Sequence, residues 1–548
     1  MPFRVIAGSA PALLFENPLQ TLRAASRPET QASLERADAA LKDGRFVAGF
    51  IDYEGSSVLG IFSAPRVITL AGETAPFALG PLLPRIDARA YGDAIARIAH
   101  AIGEGDVYQV NYTVPFDAAC TGDPLAAFAR LSERNAAGYN AYVEDGETAI
   151  LSLSPELFLR FEGERLVTKP MKGTAPLERA WELDSPKNRA EHVMIVDLLR
   201  NDLHRLCDDV RVERLFEIER YPTFATMTST IAGRVRAATP LADVFAAMFP
   251  CGSITGAPKR AAMEQIAAVE PHARGPYTGT VGYLGPGRAG WWNVAIRSLR
   301  VDRSRQRATY NAGGGIVADS LAADEWNEVM LKTRSLRPAI EPFRFWESFR
   351  GGPHPSDIAA HLARLERTAR RFGVPFDRDD AARRIAAAAA TQTPSFVRVR
   401  LTLDGDLAID CEPLAPTPSP VRLCLAAARV DSSDPMLAVK SSWRPAHALA
   451  AGQAAERRCF DALLQNERDE LTEGSRTTIF VQSGNTLSTP PLACGVLPGI
   501  LRAELVQSGR AVERVLHLED LRDADAFYVG NSARGLLQAD LIGEPFHV

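Results

Sequence analysis

The chain has 548 residues, of which 24% are charged, and a formal net charge of −5 with both signs mixed along its length. Single hydrophobic cores stop growing near ~250–300 residues, so we expect at least two domains. The sequence contains no basic tract of the kind that binds nucleic acid. It also contains no run of ~18 apolar residues, which a membrane span would need. The seven cysteines form no CxxC pair and the N-terminus is a poor signal peptide, so we expect a cytoplasmic protein.

The first half of the chain predicts a mixture of helices and antiparallel strands. Short apolar runs separated by Gly and Pro predict strands over much of residues 1–90. Apolar side chains at helical spacing predict an amphipathic helix at Tyr91–Gly103, followed by a strand at Val107–Val114. Further along we predict a helix at 123–135, strands at Thr148–Phe161 and Glu164–Pro170, a long apolar helix at Pro186–Leu206 that we expect to be buried, a hairpin-rich region at Tyr277–Val317 and a helix at 321–335.

Two prolines in the segment 337–342 stop the preceding helix and predict a linker between unlike halves, residues 1–336 and 343–548. The sequence shows no internal repeat. For the second half we predict a strand at Phe343–Phe349, a helix at Asp357–Phe372, an alanine-rich helix at 380–391 and strands from Ser395 to Leu425.

Several residues of the first half are of types that carry chemistry. Lys172 lies between a strand-like run and a Gly-Thr turn, where a lysine is either a nucleophile or an ordinary solvated side chain. Glu325 and Glu328 share one helix face, and Glu191 lies on the long apolar helix. These carboxylates are either Mg²⁺ ligands or acids favoured by the helix dipole. The glycines at 313–315 either bring backbone N–H groups close to an anion or form a plain turn.

Eight motifs resemble, in their order, those of the chorismate-utilising enzymes, over roughly residues 80–335. They are GDVYQVNYT (105–113), SLSPELF (152–158), KPMKGT (169–174), KNRAEHVMIVDLLRND (187–202), GSITGAPK (252–259), RGPYTGTVGYL (274–284), AIRSL (295–299) and AGGGIVADS (312–320). The resemblance implies a fold of two opposed antiparallel sheets with helices, in the α+β or α/β class, with the substrate site between the sheets.

Carried over position by position, the resemblance implies a complete site. Glu191 and Glu328 correspond to Mg²⁺ ligands with Glu325 nearby, and Glu156 corresponds to the general acid that protonates the departing hydroxyl. Chorismate carries two carboxylates, so Mg²⁺ can hold one while Arg297 and glycine N–H groups hold the other. The implied chorismate contacts are Gly173, Thr174, Tyr277, Arg297, Gly313, Gly314 and Gly315.

Two positions discriminate among the reactions of this family. Relatives that add water carry a lysine base where this chain has Gln109, which cannot deprotonate water. Aminodeoxychorismate synthases have a lysine where this chain has Lys172, and anthranilate synthases have a small residue, so we expect amination at C4. Two departures from the family pattern are Thr226, where many relatives have a histidine, and Asn188, where some anthranilate synthases have a carboxylate. Because the chain contains no glutaminase motif, ammonia is expected from a separate glutamine amidotransferase subunit or from solution.

Segments of the second half, above all TEGSRTTIF (472–480) and PPLACGVLPGILR (490–502), resemble the fold-type IV pyridoxal-phosphate enzymes. The strand-like run Met436–Lys440 then ends in the implied Schiff-base lysine, Lys440. Trp443 and Thr478 depart from the pattern at positions expected to contact substrate. The implied cofactor-binding residues are Lys440, Glu473 facing the pyridine nitrogen, Arg364 at the phosphate, and Gly499, Ile500, Asn531 and Ser532 completing the phosphate cup.

Taken together, the halves are expected to make 4-amino-4-deoxychorismate through Lys172 and then 4-aminobenzoate and pyruvate, for folate synthesis. Three alternatives stay open. One is an anthranilate-type synthase fused to a branched-chain or D-amino-acid aminotransferase. Another is a true aminotransferase in the second half, and the third is a cofactor-free regulatory or docking module there. A homodimer through the second half is also expected.

Overall fold

The computed structural model describes residues 3–9, 11–70, 77–135, 138–222, 224–236, 238–333, 336, 344–353 and 355–542, with only the backbone of residues 134, 135 and 187. The chain divides into two compact units, Met1–Glu341 and Pro342–Val548. The predicted linker at 337–342 lies outside the described residues. None of the helices described is both long enough and apolar enough to cross a membrane.

The first unit contains two large antiparallel sheets that share one hydrophobic core. Sheet 1 has eleven strands and sheet 2 has ten. The strands of the first unit are β1 (Arg4–Ala7), β2 (Ala12–Phe15), β3 (Gln20–Ala24), β4 (Phe46–Ile51), β5 (Ser57–Phe62), β6 (Arg66–Ile68), β7 (Phe77–Leu79), β8 (Leu83–Pro84), β9 (Gln109–Gly122), β10 (Tyr139–Asp145), β11 (Thr148–Ser154), β12 (Leu157–Glu162), β13 (Arg165–Lys169), β14 (Met171–Ala175), β15 (Cys207–Arg220), β16 (Ala225–Val235), β17 (Gly256–Ala257), β18 (Thr280–Leu284), β19 (Gly290–Asn293), β20 (Ser298–Asp302) and β21 (Arg307–Ile316). Sheet 1 runs β17-β9-β21-β20-β11-β10-β1-β2-β6, and sheet 2 runs β14-β16-β13-β12-β19-β18-β4-β5-β3.

The described residues of the first unit form seven α-helices: α1 (Arg27–Lys42), α2 (Ala88–Gly103), α3 (Pro124–Asn135), α4 (Pro186–His204), α5 (Leu241–Met248), α6 (Lys259–Val269) and α7 (Ala322–Lys332). Helix α2 begins after Asp87, whose carboxylate accepts from the Ala90 N–H, and confirms the amphipathic helix predicted there. The prediction that α4 is buried is wrong. Only one face of α4 packs inward, and Val193 on the opposite side is 47% exposed.

The glycine run at 313–315 lies within strand β21, not in a turn. Its residues pair in register with β9, Gly313 opposite Thr113 and Gly315 opposite Asn111. A Cβ on Gly313 would lie 2.2 Å from the Tyr112 carbonyl oxygen, so the close approach of the two strands requires glycine there. This pairing places the glycines on an interior strand of sheet 1, between β9 and β20.

The second unit holds a three-stranded antiparallel sheet and an eight-stranded mixed sheet, each with its own helices. Its strands are β22 (Arg344–Gly351), β23 (Ser395–Thr402), β24 (Leu407–Pro413), β25 (Val421–Val430), β26 (Asp461–Asn466), β27 (Leu471–Gly474), β28 (Thr478–Ser483), β29 (Thr486–Thr489), β30 (Ala511–Glu513), β31 (Ala526–Asn531) and β32 (Gly535–Leu541). Its helices are α8 (Ile358–Arg371), α9 (Arg378–Ala389), α10 (Pro445–Glu456), α11 (Ile500–Gln507) and α12 (Leu518–Arg522). The larger sheet runs β27-β26-β25-β32-β31-β28-β29-β30.

Candidate active site

Lys172 lies in β14, at one end of sheet 2, where its backbone pairs with Met227 of β16. The strand register shifts immediately after it, and Gly173 adopts a φ of +70°, which glycine reaches without strain. The Thr226 hydroxyl donates to the Gly173 carbonyl at 2.6 Å. The residue that stands in place of a histidine therefore holds the backbone next to Lys172.

The amine of Lys172 meets groups from sheet 1. A Cβ built on Gly315 would lie 3.0 Å from the Lys172 Nζ and 2.3 Å from the Gln109 Nε2, so the three residues converge. Although Lys172 as a whole is half-buried, its amine lies among closely packed protein atoms. This burial lowers the pKa of Lys172, and the positive charge of Lys332 acts in the same direction while Glu191 opposes it. The unprotonated, nucleophilic form is thereby favoured.

Glu156 is enclosed just beyond the end of β11 and is only 3% exposed. Burial raises the pKa of Glu156 to about 7, although the Ser253 hydroxyl and Lys172 oppose the shift. A carboxyl group with this pKa keeps a large protonated fraction at neutral pH. Glu156 is therefore suited to donate a proton to a leaving hydroxyl.

Arg297 presents a guanidinium that pairs with no carboxylate among the residues the structure describes. Its guanidinium carbon lies 4.0 Å from the centre of the Phe224 ring. Burial lowers the pKa of Arg297, although Tyr310 and Tyr221 act against the shift. A half-buried guanidinium without an internal counter-ion is suited to a substrate carboxylate. Burial also raises the pKa of Tyr277, with Glu156 among its charged neighbours, so the Tyr277 phenol lies near the candidate acid.

The three candidate metal ligands approach one another without forming a closed site. Glu325 accepts from the Ser320 hydroxyl at 2.7 Å, and Glu328 pairs with the Lys332 amine at 2.7 Å. Burial raises the pKa of Glu325, and the charges of Glu328 and Glu191 add to that effect. Within the described ranges, no three His, Cys, Asp or Glu side chains lie close enough together to hold a metal ion. The all-oxygen donor set and the mutual repulsion of its carboxylates nevertheless fit Mg²⁺.

Two residues near this site were not among those predicted from the sequence. Lys332 donates to the Gly313 carbonyl at 2.7 Å in addition to its pair with Glu328. The position of Lys332 one helical turn after Glu328 is the sequence feature that could have predicted this ion pair. His192 is buried, and its Nε2 lies 2.7 Å from the Ser229 hydroxyl. Burial lowers the pKa of His192 to about 4, with Lys172 acting in the same direction, so this imidazole is neutral.

In the second unit, Lys440 does not end a strand, and that prediction is wrong. The run Met436–Lys440 folds into turns, and the Lys440 carbonyl accepts from the Trp346 N–H at 3.1 Å. Burial lowers the pKa of Lys440 to about 8, with Arg364 acting in the same direction and Glu347 opposing it. A buried amine with this pKa is suited to form an imine with an aldehyde.

Glu473 is held as a carboxylate by two neighbours that the sequence did not reveal. It accepts from Arg444 at 2.5 Å and from the His447 Nε2 at 2.9 Å. The Leu497 N–H also donates to it, at 3.2 Å. Burial alone would raise the pKa of Glu473, but Arg444 and His447 hold it below its usual value. An ionised carboxylate is what a protonated pyridine nitrogen requires.

Arg364 lies beside the N-terminus of α11. Two of its nitrogens donate to the Glu347 carboxylate at 2.7 and 2.6 Å, and a third donates to the Pro498 carbonyl at 2.8 Å. Gly499 caps the helix, and Ile500 is its first residue. Backbone N–H groups at a helix N-terminus together with a guanidinium form a suitable phosphate site.

The turn at Asn531–Ser532 lies beside the same helix, because Gly530 packs against Leu501. The Asn531 side-chain oxygen accepts from two backbone N–H groups within the turn, and the Ser532 carbonyl accepts from the Ser356 hydroxyl. The side chain of Asn531 therefore shapes the turn. Lys440, Glu473, Arg364 and this turn together fit pyridoxal phosphate by the chemistry of their donors.

Comparison with known proteins assigns both units. Residues 62–338 match the model of the chorismate binding enzyme family, and residues 341–542 match the model of amino-transferase class IV. Aminodeoxychorismate synthase component 1 of Klebsiella aerogenes is 37% identical over 292 residues, covering 50% of this chain and 64% of the relative. Anthranilate synthase component 1 of Thermus thermophilus is 37% identical over 264 residues, covering 46% and 56%. The chain thus spans less than two thirds of the length of these relatives.

The solved structures agree on the fold of the first unit. The putative 2,3-dihydroxybenzoate-specific isochorismate synthase from Bacillus anthracis has a TM-score of 0.54 at 22% identity and covers 61% of this chain and 95% of that one. Anthranilate synthase component I from Streptococcus pneumoniae has a TM-score of 0.52 at 23% identity, with 61% and 92% covered. The predicted combination of a chorismate-binding fold with a fold-type IV unit is confirmed. The equal identities to the two kinds of synthase do not separate amination at C2 from amination at C4.

Proposed function

The chain belongs to the chorismate binding enzyme family, and from this premise we propose that its first unit aminates chorismate to 4-amino-4-deoxychorismate. The second unit then eliminates pyruvate from that product to leave 4-aminobenzoate, a precursor for folate. The observation that carries the proposal is the position of Lys172, whose amine meets Gly315 and Gln109 and whose pKa is lowered by burial. Gln109 offers no base for water, so a nitrogen nucleophile is favoured.

In the first unit, the unprotonated amine of Lys172 attacks the chorismate ring as the C4 hydroxyl departs. Glu156 supplies the proton, so the hydroxyl leaves as water. Ammonia then displaces the lysine, which regenerates the free amine and leaves nitrogen at C4. Arg297 holds one substrate carboxylate by charge-assisted hydrogen bonds. Mg²⁺ held by Glu191 and the carboxylates of α7 would neutralise the other carboxylate.

In the second unit, pyridoxal phosphate supplies an electron sink when it is bound. Lys440 removes the proton from C4 of the substrate and returns a proton to the enolpyruvyl methylene as pyruvate leaves. Glu473, which its neighbours keep ionised, would face the ring nitrogen, and Arg364 and the N-terminus of α11 would hold the phosphate. Formation of the aromatic ring drives the elimination.

The ammonia comes from a separate glutamine amidotransferase, because the sequence contains no nucleophilic cysteine elbow of its own. The whole reaction belongs in the cytoplasm, and a homodimer through the second unit is part of the proposal. Ammonium salts replace the partner in a test with the isolated chain.

Product analysis tests this function. Purified protein loaded with pyridoxal phosphate is given chorismate, Mg²⁺ and ammonium, and the expected products are 4-aminobenzoate and pyruvate in equal amounts. Lys172→Ala is expected to abolish chorismate consumption. The matched control is Lys169→Ala, since Lys169 lies three residues earlier and forms a partly buried ion pair with Glu219. Anthranilate as the product would overturn the assignment of the first unit.

A second candidate for the C-terminal unit is amino transfer, which the amino-transferase class IV match favours. This candidate requires transfer of an amino group from an amino acid to 2-oxoglutarate. Such transfer without pyruvate release from aminodeoxychorismate would replace the lyase assignment. In that case the 4-aminobenzoate of the first test would not form.

A further inference from the structure

A buried ion pair in the first unit lies behind the candidate site. Arg274 and Glu270 have side chains only 2% and 6% exposed, and they form two parallel hydrogen bonds of 2.8 and 2.7 Å. Desolvation makes such a pair about as costly as it is favourable, so the pair alone is a weak source of stability. The two side chains also make further hydrogen bonds.

Those further bonds reach the backbone of β9. The Arg274 Nη2 donates to the Asn111 carbonyl at 2.7 Å, and Glu270 accepts from the Thr113 N–H at 2.9 Å. Asn111 and Thr113 pair directly with Gly315 and Gly313 of β21. The ion pair thus anchors the strand on which the glycine run of the site is aligned.

The same guanidinium also bonds to two other segments, one beside a neighbour of Glu156 and one beside Tyr277. Its Nη1 donates to the Ile254 carbonyl at 3.1 Å, next to Ser253, whose hydroxyl acts on Glu156. The same Nη1 donates to the Thr278 hydroxyl at 3.3 Å, next to Tyr277. One side chain therefore fixes the spacing of three segments.

The contact network extends to the segment that carries Arg274 itself. The Arg274 and Gly275 N–H groups both donate to the Glu54 carboxylate, at 2.8 and 3.1 Å. The guanidinium stacks on the Tyr53 ring at 4.5 Å from its centre. These contacts hold the arginine in one orientation, so that its planar array of donors is ready-made for its four partners.

We propose that Arg274 and Glu270 form a positioning pair for the chorismate reaction. The pair touches neither substrate nor reacting atoms. It sets the distance between the glycine run on β21, the candidate acid Glu156 and Tyr277. The inference rests on the proposed function only in that chorismate is the substrate, and it holds for amination at either ring carbon.

Arg274→Lys keeps the charge but cannot reproduce two parallel bonds and two carbonyl bonds from one ammonium. Misplacing a site by ~1 Å costs on the order of 10²-fold in rate, so we expect kcat for chorismate consumption to fall by about 10²-fold. Release of pyruvate from supplied aminodeoxychorismate is expected to stay at the wild-type rate. This second activity is an internal control within the same chain.

Arg288→Lys is the matched control outside the site. Arg288 also forms a bidentate pair, with Asp38, and donates to the Thr239 carbonyl. We expect this variant to lose thermal stability comparably to Arg274→Lys but to keep its kcat for chorismate. Equal loss of kcat in both variants, in proportion to their loss of stability, would make the Arg274 pair merely structural.

Glu270→Gln provides a second route if Arg274→Lys does not fold. The amide keeps an acceptor for the Thr113 N–H but loses the charge, so a smaller loss of kcat than in Arg274→Lys is expected. Added guanidinium is expected to restore part of the kcat of Arg274→Ala and none of that of Arg288→Ala. Wild-type kcat in Glu270→Gln and Arg274→Lys would overturn the proposal while leaving the proposed function intact. A wild-type protein that consumes no chorismate would overturn both.

Discussion

At the scale of single residues, burial shifts the pKa values of the candidate acid and the candidate nucleophile of the first unit by one physical effect. Removing water penalises the charged form of any group, so it raises the pKa of a carboxyl group and lowers that of an amine. The pKa of Glu156 rises to about 7, and the pKa of Lys172 falls. Burial therefore favours the neutral form of both groups. Mutual attraction opposes both shifts, and burial outweighs it.

This protonation pattern predicts a bell-shaped pH profile for chorismate amination. The rate is expected to fall as pH rises above about 7, because Glu156 then loses the proton that the leaving hydroxyl needs. It is also expected to fall at low pH, because Lys172 becomes protonated. The measurement is kcat against pH at a constant concentration of free NH₃, since ammonia itself titrates.

Glu156→Gln separates the two limbs of that profile. The amide cannot donate a proton in the same way, so the rate is expected to be lower and the high-pH limb absent. The low-pH limb is expected to remain, because it belongs to Lys172. An unchanged high-pH limb in Glu156→Gln would assign that limb to another group and remove Glu156 as the acid.

At the scale of secondary-structure elements, the sequence predicted what local periodicity determines. The helix α2 and the helix that carries Glu325 and Glu328 follow from amphipathic spacing, and both were found. The strand placement of Gly313–Gly315 could not be predicted, because glycine is disfavoured in strands unless another backbone approaches closely. The apolar run before Lys440 predicts a strand but folds into turns, because buried turns and strands share the same composition.

In the candidate site too, some residues could be predicted from local sequence and others could not. Motifs identified Lys172, Glu156 and Arg297, and the structure places the amine of Lys172 against Gly315. The roles of these residues remain predictions. Lys332 and Arg444 were not predicted. The place of Lys332 one turn after Glu328 was a local signal for its ion pair, whereas Arg444 meets Glu473 only through the pairing of distant chain segments.

The glycines of β21 are predicted to differ sharply in their response to alanine. A Cβ on Gly315 would meet the ends of two flexible side chains, Gln109 and Lys172, which can move aside. A Cβ on Gly313 would meet the Tyr112 carbonyl oxygen, which is fixed in the sheet. We therefore expect Gly315→Ala to lower kcat strongly with little change in stability. Gly313→Ala is expected to cost about 1–3 kcal/mol of stability as an overpacked site.

Gly314→Ala is the stability control for this pair of variants, since its Cβ would meet only the ends of flexible side chains, the Glu325 carboxylate at 3.3 Å and the Lys332 Nζ at 3.8 Å. Denaturant midpoints measure stability, and chorismate consumption measures the site. A Gly315→Ala protein with wild-type kcat would show that the amine of Lys172 does not need its position against this strand. Such a result would weaken Lys172 as the nucleophile.

At the scale of the whole molecule, each unit has its own core and its own candidate lysine. The family matches cover one unit each, so the proposed reactions are separable in principle. The amine that the first unit would create is the group that an imine-forming lysine site can accept. Covalent fusion raises the effective concentration of one proposed site with respect to the other.

Mixing two inactive variants tests whether each unit carries out one of the two proposed reactions. Lys440→Ala is expected to accumulate aminodeoxychorismate, and Lys172→Ala is expected to keep only the elimination of pyruvate. Together they are expected to restore 4-aminobenzoate, after a lag in which the intermediate passes between chains by diffusion. Dilution should slow the mixture far more than the wild type, for which one chain carries both steps. A mixture that makes no 4-aminobenzoate, although each variant keeps its own step, would mean that the intermediate does not leave the chain that made it.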